Sequence, residues 1–430
     1  MIVNVEEWGS ILQFMEELRV LKLGAVVIHI PHNIKKKLTF LTYEPDILAN
    51  IPVIVYEKSR INFLSDFSKA LLSEQNIRKY PDVATFAFWC RTSNLNKIIS
   101  NLGSIKLRVG LGLVYHNSPS NVPVNFAFSL VFGILSGNSS VVRLSSKESE
   151  SSELIINVLN RLLEVPKYSE IKKTIFIIKF ERDDEVNNFW MSVVDGRVIW
   201  GGDETVAKMR TYPCKPRARE IVFPDRFSLC VINAIKIIES NDEDLKKLCV
   251  GLFNDVYVMD QNACSSPQLF NWVGNDATIK NAQDRLWPLF LEYVNSKHSL
   301  EPIQYMNKYV DACRNAINND NVLRVKHKDN LLFNIELSHF HEQQHNQRGY
   351  FGTIHEISIE SLNELSSVID DRYQTMTYFG FEVEELKNFI ISSKLRGIDR
   401  IVPIGRSLDM DVIWDGYDII NHLSRTVDIF

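Results

Sequence analysis

The stretch LRVGLGLVYHNSPSNVPVNFAFSLVFGILSGNSSVVRLSSK, residues 107–147, decides the fold. Leu107–His116 is a short apolar run of strand length, and the polar turn Asn117-Ser118-Pro119-Ser120-Asn121 ends it. Val124–Leu135 then carries a helical pattern, and Ser140–Leu144 is a second short apolar strand. Strand, helix and strand within about thirty residues make a βαβ unit, which places both strands parallel in one sheet. The rhythm continues downstream, with strands predicted at Thr174–Phe180, Arg197–Trp200 and Ser228–Ala234. Helices are predicted between them at Ser152–Leu163, Asp184–Met191 and Glu204–Thr211.

A second α/β region follows. Its predicted helices are Asp242–Tyr257, Ile279–Asn295, Ser361–Asp371 and Glu384–Lys394, and its strands Leu331–Leu337, Gly352–Ile357, Thr375–Phe379 and Arg400–Pro403. The first hundred residues differ, with β-like pieces at Gly24–Ile30 and Ile51–Tyr56 and a helix at Asn62–Leu72. These shifts divide the chain into an N-terminal region 1–105, a first α/β region 106–238, a second α/β region 239–405 and a C-terminal segment 406–430. That segment is expected to return to the first α/β region or to a subunit interface.

The chain has 430 residues, 45% hydrophobic and 23% charged, with a net charge of −5. An acidic balance with no basic–aromatic patch argues against nucleic acid, and Lys35-Lys36-Lys37 reads as a solvated turn. The six cysteines form no CxxC pair, which excludes a zinc ribbon and a disulfide framework and points to a reducing cytoplasm. Met1-Ile2-Val3-Asn4 shows no basic stretch and apolar core, so no signal peptide is expected there. The most apolar run, Val122–Leu135, is interrupted by Pro123, Asn125 and Ser129, short of the ~20 residues a membrane span needs.

The most reactive candidate is Cys264, in Asp260-Gln261-Asn262-Ala263-Cys264-Ser265-Ser266-Pro267-Gln268. Small polar residues followed by a proline read as a helix start, where the helix dipole would lower the thiol pKa. A buried structural cysteine is the competing reading. An Asn at the carboxyl end of strand Leu107–His116 is placed to donate to an oxyanion, although asparagines are also common in turns. Gly201-Gly202, after the strand Arg197–Trp200, let backbone approach a phosphate. His341-Glu342-Gln343-Gln344-His345 satisfies the H-E-x-x-H zinc pattern, but its polar flanks argue for a solvated loop, so no metal is expected. His116 is a candidate acid or base, with a packed histidine as the alternative.

Together these blocks resemble the aldehyde dehydrogenase superfamily, and within it the acyl-CoA reductase family of the fatty acid reductases of bacterial bioluminescence (LuxC type). The resemblance runs from about Pro81 to the C-terminus. It rests on Pro81–Arg91, Phe223–Ser228, the cysteine segment, and Arg400–Asp411 with Trp414–Tyr417. It implies an aldehyde-dehydrogenase-like α/β fold of two Rossmann-related domains, cofactor-binding and catalytic, with an N-terminal extension. Pro119–Pro123 matches the superfamily's Pro-Trp-Asn-Phe-Pro, making Asn121 the oxyanion donor and Cys264 the nucleophile. Arg143 takes the place of the cofactor-binding lysine, and Ser145, Ser146 and Lys147 follow it. Ser146 stands where NAD-preferring members carry a ribose-binding glutamate, which favours NADPH. Gly201 and Gly202 match the pyrophosphate turn.

Departures from the pattern carry information. Ile221–Arg226 replaces the Glu-Leu-Gly-Gly block and lacks its general base, which points to thioester chemistry over aldehyde oxidation. Gln261 precedes the cysteine by three residues where the superfamily usually has two. Gly349-Tyr350-Phe351-Gly352 stands for Glu-x-Phe-Gly without its glutamate. The resemblance thus implies NADPH-dependent reduction of an acyl-CoA or acyl-protein thioester to aldehyde through an acyl-cysteine. Oxidation of an aldehyde, or a non-reducing acyl-carrying subunit, are the alternatives. An acyl-protein synthetase partner and a homo-oligomer are further implications, and Trp414 and Tyr417 are read as shaping a site or a subunit contact.

Overall fold

The computed structural model describes residues 26–45, 47–101, 107–119 and 121–430. The leader reading at residues 1–4 and Ser120 of the asparagine turn lie outside the described residues. Two compact units are present: Met1–Pro224 with Tyr417–Phe430, and Asp225–Gly416. Among the described residues no helix is long and apolar enough to cross a membrane.

The first unit is built on a six-stranded sheet. Its order is Thr39–Phe40, Ile175–Lys179, Ser139–Arg143, Leu113–Asn117, Gly196–Trp200, Arg219–Phe223. All neighbours are parallel except the antiparallel edge strand Thr39–Phe40. The parallel strands start mid-sheet at Leu113–Asn117, move outward to Ile175–Lys179, then cross to the other side at Gly196–Trp200. That reversal opens a crevice at the carboxyl ends of Leu113–Asn117 and Gly196–Trp200, the usual ligand position in such sheets.

Helix Asn125–Leu135 is buried along its whole length after Asn125, as its almost unbroken apolar sequence requires. Helices Lys58–Leu72 and Pro81–Trp89 shield it, with Phe86 edge-on to Phe128 at 5.0 Å and Trp89 to Phe132 at 6.0 Å. Of the C-terminal segment, Tyr417–Phe430 belongs to this unit, where Ser424–Thr426 pairs antiparallel with Arg108–Gly110, and residues 406–416 belong to the second.

The second unit holds a seven-stranded sheet in the order Val322–Lys328, Leu332–Leu337, Thr353–Ile359, Leu269–Val273, Phe227–Asn233, Tyr373–Phe379, Arg400–Pro403. Only Val322–Lys328 runs antiparallel. The sequence reading attached strand Ser228–Ala234 to the first region, but it pairs with Leu269–Val273 and Tyr373–Phe379 in the second sheet. A strand buried on both faces has the same apolar signature in either sheet, so pattern alone does not assign it. The predicted helix Ser361–Asp371 is a short 3₁₀ segment, Leu362–Ser367. The helix Pro302–Asn318 was not anticipated, because Ile303, Met306 and Ile317 face solvent and blur its amphipathic pattern.

At the centre of this sheet Glu356 is buried and accepts the indole N–H groups of Trp272 and Trp287, both at 2.9 Å. Burial pushes its pKa up to about 7. An acid that binds its proton more tightly when folded supports the fold fully below its unfolded pKa of about 4.5. That support is lost as pH rises to about 7. Glu356→Gln keeps the acceptor oxygen and removes the charge. We expect it to raise stability at pH 8 by about 3 kcal/mol and to leave it unchanged at pH 4. Melting curves of the two proteins with the same pH dependence would refute this.

Candidate active site

Cys264 does not open a helix. Its turn runs into strand Leu269–Val273, so Pro267 leads into extended chain and the cysteine segment itself starts no helix. The strand wins because its residues through Trp272 are fully buried between parallel neighbours. The loop begins with two left-handed residues, Asp260 (φ 47°) and Gln261 (φ 58°). Such backbone costs about 1 kcal/mol or more per non-glycine residue and persists only where its surroundings impose it.

Two glutamines impose it here. The Gln261 amide donates to the carbonyls of Pro267 (3.2 Å) and Thr353 (3.0 Å), and its oxygen accepts from the N–H groups of Gly352 (3.0 Å) and Thr353 (3.1 Å). Gln268 donates to the Gln261 carbonyl at 3.0 Å and accepts from Gly349 N–H at 2.8 Å. The Ser228 hydroxyl donates to the Cys264 carbonyl at 2.7 Å. The cysteine loop is thus fastened to Gly349–Gly352. Gly352 (φ +78°) is obligatory there, since a Cβ would collide with the Tyr257 hydroxyl. Buried Lys308 donates to the Phe351 carbonyl at 2.7 Å, and burial pushes its pKa down to about 7.

The thiol itself is half-buried. Burial pushes its pKa up, the reverse of the shift expected from a helix dipole, and Asp225 and Asp415 push the same way. Opposing them are a hydrogen bond from the Arg226 N–H and the charge of Arg348. Arg226 is itself locked by Asp399 (2.5 Å), Asp415 (2.7 Å) and the Tyr373 carbonyl (2.7 Å). Neither arginine was singled out in the sequence. Arg226 lies inside the quoted Phe223–Ser228 block, and Arg348 directly precedes Gly349-Tyr350-Phe351-Gly352, so position relative to those blocks was the available signal.

In the first unit, a cavity of about 310 Å³ lies at the carboxyl end of the sheet, with Ser118, Leu144, Ser145, Lys147, Glu148 and Lys179 on its wall. The buried Ser118 hydroxyl faces it without a hydrogen-bond partner. Gly201 and Gly202 follow the neighbouring strand, and Gly202 caps helix Asp203–Arg210 with nothing within 4 Å of where a Cβ would stand. An orphaned hydroxyl and an open glycine cap at a sheet reversal fit a bound dinucleotide. Ser145 and Lys147 line the cavity, whereas Ser146 is exposed and off its wall. Arg143 turns inward, donating to Asn117 Oδ1 (3.1 Å) and stacking 4.6 Å over Phe180. Lys179, missed in the sequence, reaches the cavity from the end of its strand. The carboxylates Glu148 and Glu153 share the wall, although position 146 itself carries none. Asn121 is exposed at the entry to helix Asn125–Leu135.

Other candidates resolve into structure. His116 is buried against the Ser129 hydroxyl (2.8 Å), and burial drives its pKa down to about 3, so it stays neutral. The H-E-x-x-H residues form a loop with a 3₁₀ turn at Gln344–Asn346, in which His345 pairs with Asp370 at 3.3 Å. No group of three metal-ligating side chains occurs among the described residues. Near the missing general base, Glu220 is held by Arg197 (2.6 Å) and Arg210 (2.8 Å). Trp414 is buried beneath Arg400 at 4.9 Å, and Tyr417 packs on Phe223 and His422.

Residues 90–426 match the acyl-CoA reductase (LuxC) family, which covers most of the chain. The chain belongs to that family. A long-chain acyl-protein thioester reductase 2 of Photobacterium leiognathi is 24% identical over 170 residues, 39% of this chain and 33% of that protein. A long-chain acyl-protein thioester reductase of Photobacterium phosphoreum is 22% identical over 303 residues, 68% of this chain and 57% of that one. The aligned stretch thus spans about a third of the length of the first such relative. Solved structures with the same fold include glyceraldehyde-3-phosphate dehydrogenase GapN of Methanocaldococcus jannaschii complexed with NADP. It has a TM-score of 0.59 at 13% identity, covering 85% of this chain and 88% of that one. Aldehyde dehydrogenase 21 of Physcomitrella patens gives 0.57 at 13%, covering 86% and 85%. This LuxC-family chain therefore has the aldehyde dehydrogenase fold that the resemblance implied, built on the parallel sheets expected from its βαβ rhythm.

Proposed function

We propose that this LuxC-family chain reduces an acyl-CoA or acyl-protein thioester to an aldehyde, using NADPH and a covalent acyl-Cys264. The observation that carries the reading is the fastened cysteine loop, whose sulfur is met by an N–H donor and a cation. The Cys264 thiolate attacks the acyl carbonyl carbon, and the oxyanion is taken by Asn121, from its place in the Pro119–Pro123 motif. One such donor is typically worth about 3 kcal/mol. Collapse expels the donor's thiolate, a leaving group that needs no strong acid, and leaves the acyl group on Cys264. Glu220, next to Ile221–Arg226, is tied to Arg197 and Arg210, so it does not activate water and the thioester is spared hydrolysis. Residues Ser118, Ser145, Lys147, Lys179, Gly201 and Gly202 would hold the dinucleotide, while Arg143 braces the strand beneath. When bound, NADPH would supply the hydride that takes the thioester to the aldehyde level. Expulsion of Cys264 then frees aldehyde and thiolate. An acyl-protein synthetase as acyl supplier, a homo-oligomeric assembly and a cytoplasmic setting complete the reading.

The test is incubation with short- to long-chain acyl-CoAs. Mass spectrometry follows the adduct on Cys264, and aldehyde release follows addition of NADPH. An adduct that never forms, or one that NADPH leaves unchanged, counts against the reading.

Cofactor choice is open to measurement as well. Neither Lys147 nor Lys179 has an ion-pair partner among the described residues, so both are available to a ribose 2′-phosphate. Replacing both by alanine should weaken NADPH binding about tenfold and leave NADH binding within about twofold. Fluorescence titration measures both, and equal losses for the two dinucleotides would exclude this role.

A further inference from the structure

We propose that the outer face of helix Pro302–Asn318 is an interface for a second copy of this chain, seated on it as an antiparallel helix pair. Ile303, Met306, Val310, Cys313 and Ile317 recur at spacings of three, four, three and four residues. That is the repeat of a two-helix seam, which presents one straight apolar stripe to a neighbouring helix. All five face solvent, with Ile317 81%, Ile303 66% and Met306 60% exposed. The inner face buries only Lys308 and Ala312. The larger apolar side of this helix is therefore turned outward. Single exposed apolar residues are ordinary on a protein surface, but a stripe in one register along about four turns is not.

Charge selects the occupant. The seam carries no charged side chain, and its border holds one acid and one base, Asp311 and Arg314. Within the helix the two lie 3.4 Å apart, and both are exposed enough to reach a neighbour. An antiparallel copy, related by a two-fold axis between Asp311 and Ala312, sets Met306 against the copy's Ile317 and Val310 against its Cys313. It also brings each Arg314 toward the copy's Asp311, so the border becomes a network of two acids and two bases. One surface is then complementary to itself, as a two-fold interface requires. A strongly acidic or strongly basic partner finds no matching charge on this face.

Sedimentation equilibrium of the full chain reads the assembly with no acyl donor or dinucleotide present. Met306→Asp combined with Val310→Asp, both at exposed positions, should halve the assembled mass by charging the seam. Arg314→Asp alone should weaken association about tenfold. Adding Asp311→Arg, which restores opposite signs, should bring it back to within about threefold of the parent. Exposed Cys313 supplies a probe that needs no substitution. A short bismaleimide should join it to the Cys313 of a second copy, as mapped by mass spectrometry. A seam variant with the parent's mass, a parent chain that stays monomeric, or cross-linked dimers that leave out Cys313 each overturn the proposal. Cys313 joined instead to an added acyl-supplying protein would give the face to that partner and overturn it equally. Should the seam variant not fold, the cross-link on the parent chain decides. Because no acyl transfer is measured, these outcomes stand apart from success or failure of the reductase reading.

Discussion

Cys264→Ala takes up no acyl group from acyl-CoA and releases no aldehyde when NADPH is added. Loss of a covalent nucleophile commonly costs 10⁴-fold or more, so activity should fall below detection. The other cysteines offer no rescue. Cys90 and Cys230 are fully buried, and burial drives both thiols far up. Cys249 is pushed up to about 11, and burial pushes the Cys214 thiol up as well. Cys313 is exposed on helix Pro302–Asn318, where it can label but has no loop of donors around it. Cys264→Ser is the sharper control, since its hydroxyl keeps the shape but ionises too weakly to attack at neutral pH. The assay is mass spectrometry of intact protein beside aldehyde trapping. Aldehyde formation by either variant at a tenth of the parent rate would remove Cys264 from the mechanism.

Gln261→Leu has the second large effect, and it acts on the loop before the chemistry. Leucine fills the volume but leaves the Pro267 and Thr353 carbonyls and the Gly352 N–H without their side-chain partner in a buried site, while the Thr353 N–H keeps the Tyr350 carbonyl at 3.1 Å. Each buried polar group so stranded costs about 1–3 kcal/mol, and local relaxation recovers part of it, so a net loss of about 4 kcal/mol is expected. Gln261 also sits at φ 58°, which the side-chain bonds hold in place, so the loop should shift as well. In a unit of this size the loss corresponds to a fall in melting temperature of about 10 °C. Gln261→Glu tests the account more finely. It keeps the acceptor for Gly352 and Thr353 but loses the donor, and should fall between parent and leucine variant. Differential scanning calorimetry decides the matter. A leucine variant melting with the parent would mean that the four bonds do not hold the loop.

Much of the fold was legible because parallel βαβ units announce themselves. Short apolar strands joined by helical patterns have few arrangements, and Leu113–Asn117, Ser139–Arg143 and Ile175–Lys179 formed close to where the pattern put them. The strand at Ser228–Ala234 went to the wrong sheet for the same reason that it was easy to find. Its residues are apolar throughout, and burial on both faces erases any mark of which neighbours it chooses. Helix Pro302–Asn318 escaped notice because its face toward the second unit is narrow, with Lys308 and Ala312 its buried residues.

The site shows the same division. Cys264, the asparagine turn and the paired glycines were visible as motifs, because chemistry restricts residue type at those points. Arg226 and Arg348 were invisible as partners. They lie 38 residues before and 84 residues after the cysteine, counting from 264 to 226 and to 348, and nothing local links them to it. The expected helix end was a local inference from Ser265, Ser266 and Pro267. The apolar strand immediately beyond overrode it by burying itself in the sheet.

By itself, the order of residues determined two α/β regions and the family and singled out Cys264 as the candidate nucleophile, since each depends on periodicity or on residues close in the chain. Tertiary structure alone decided which charges face that sulfur and what grips its loop. Charge and hydrogen bonding act through a few ångströms of space, and the partners that supply them here come from distant strands and turns that only folding brings together.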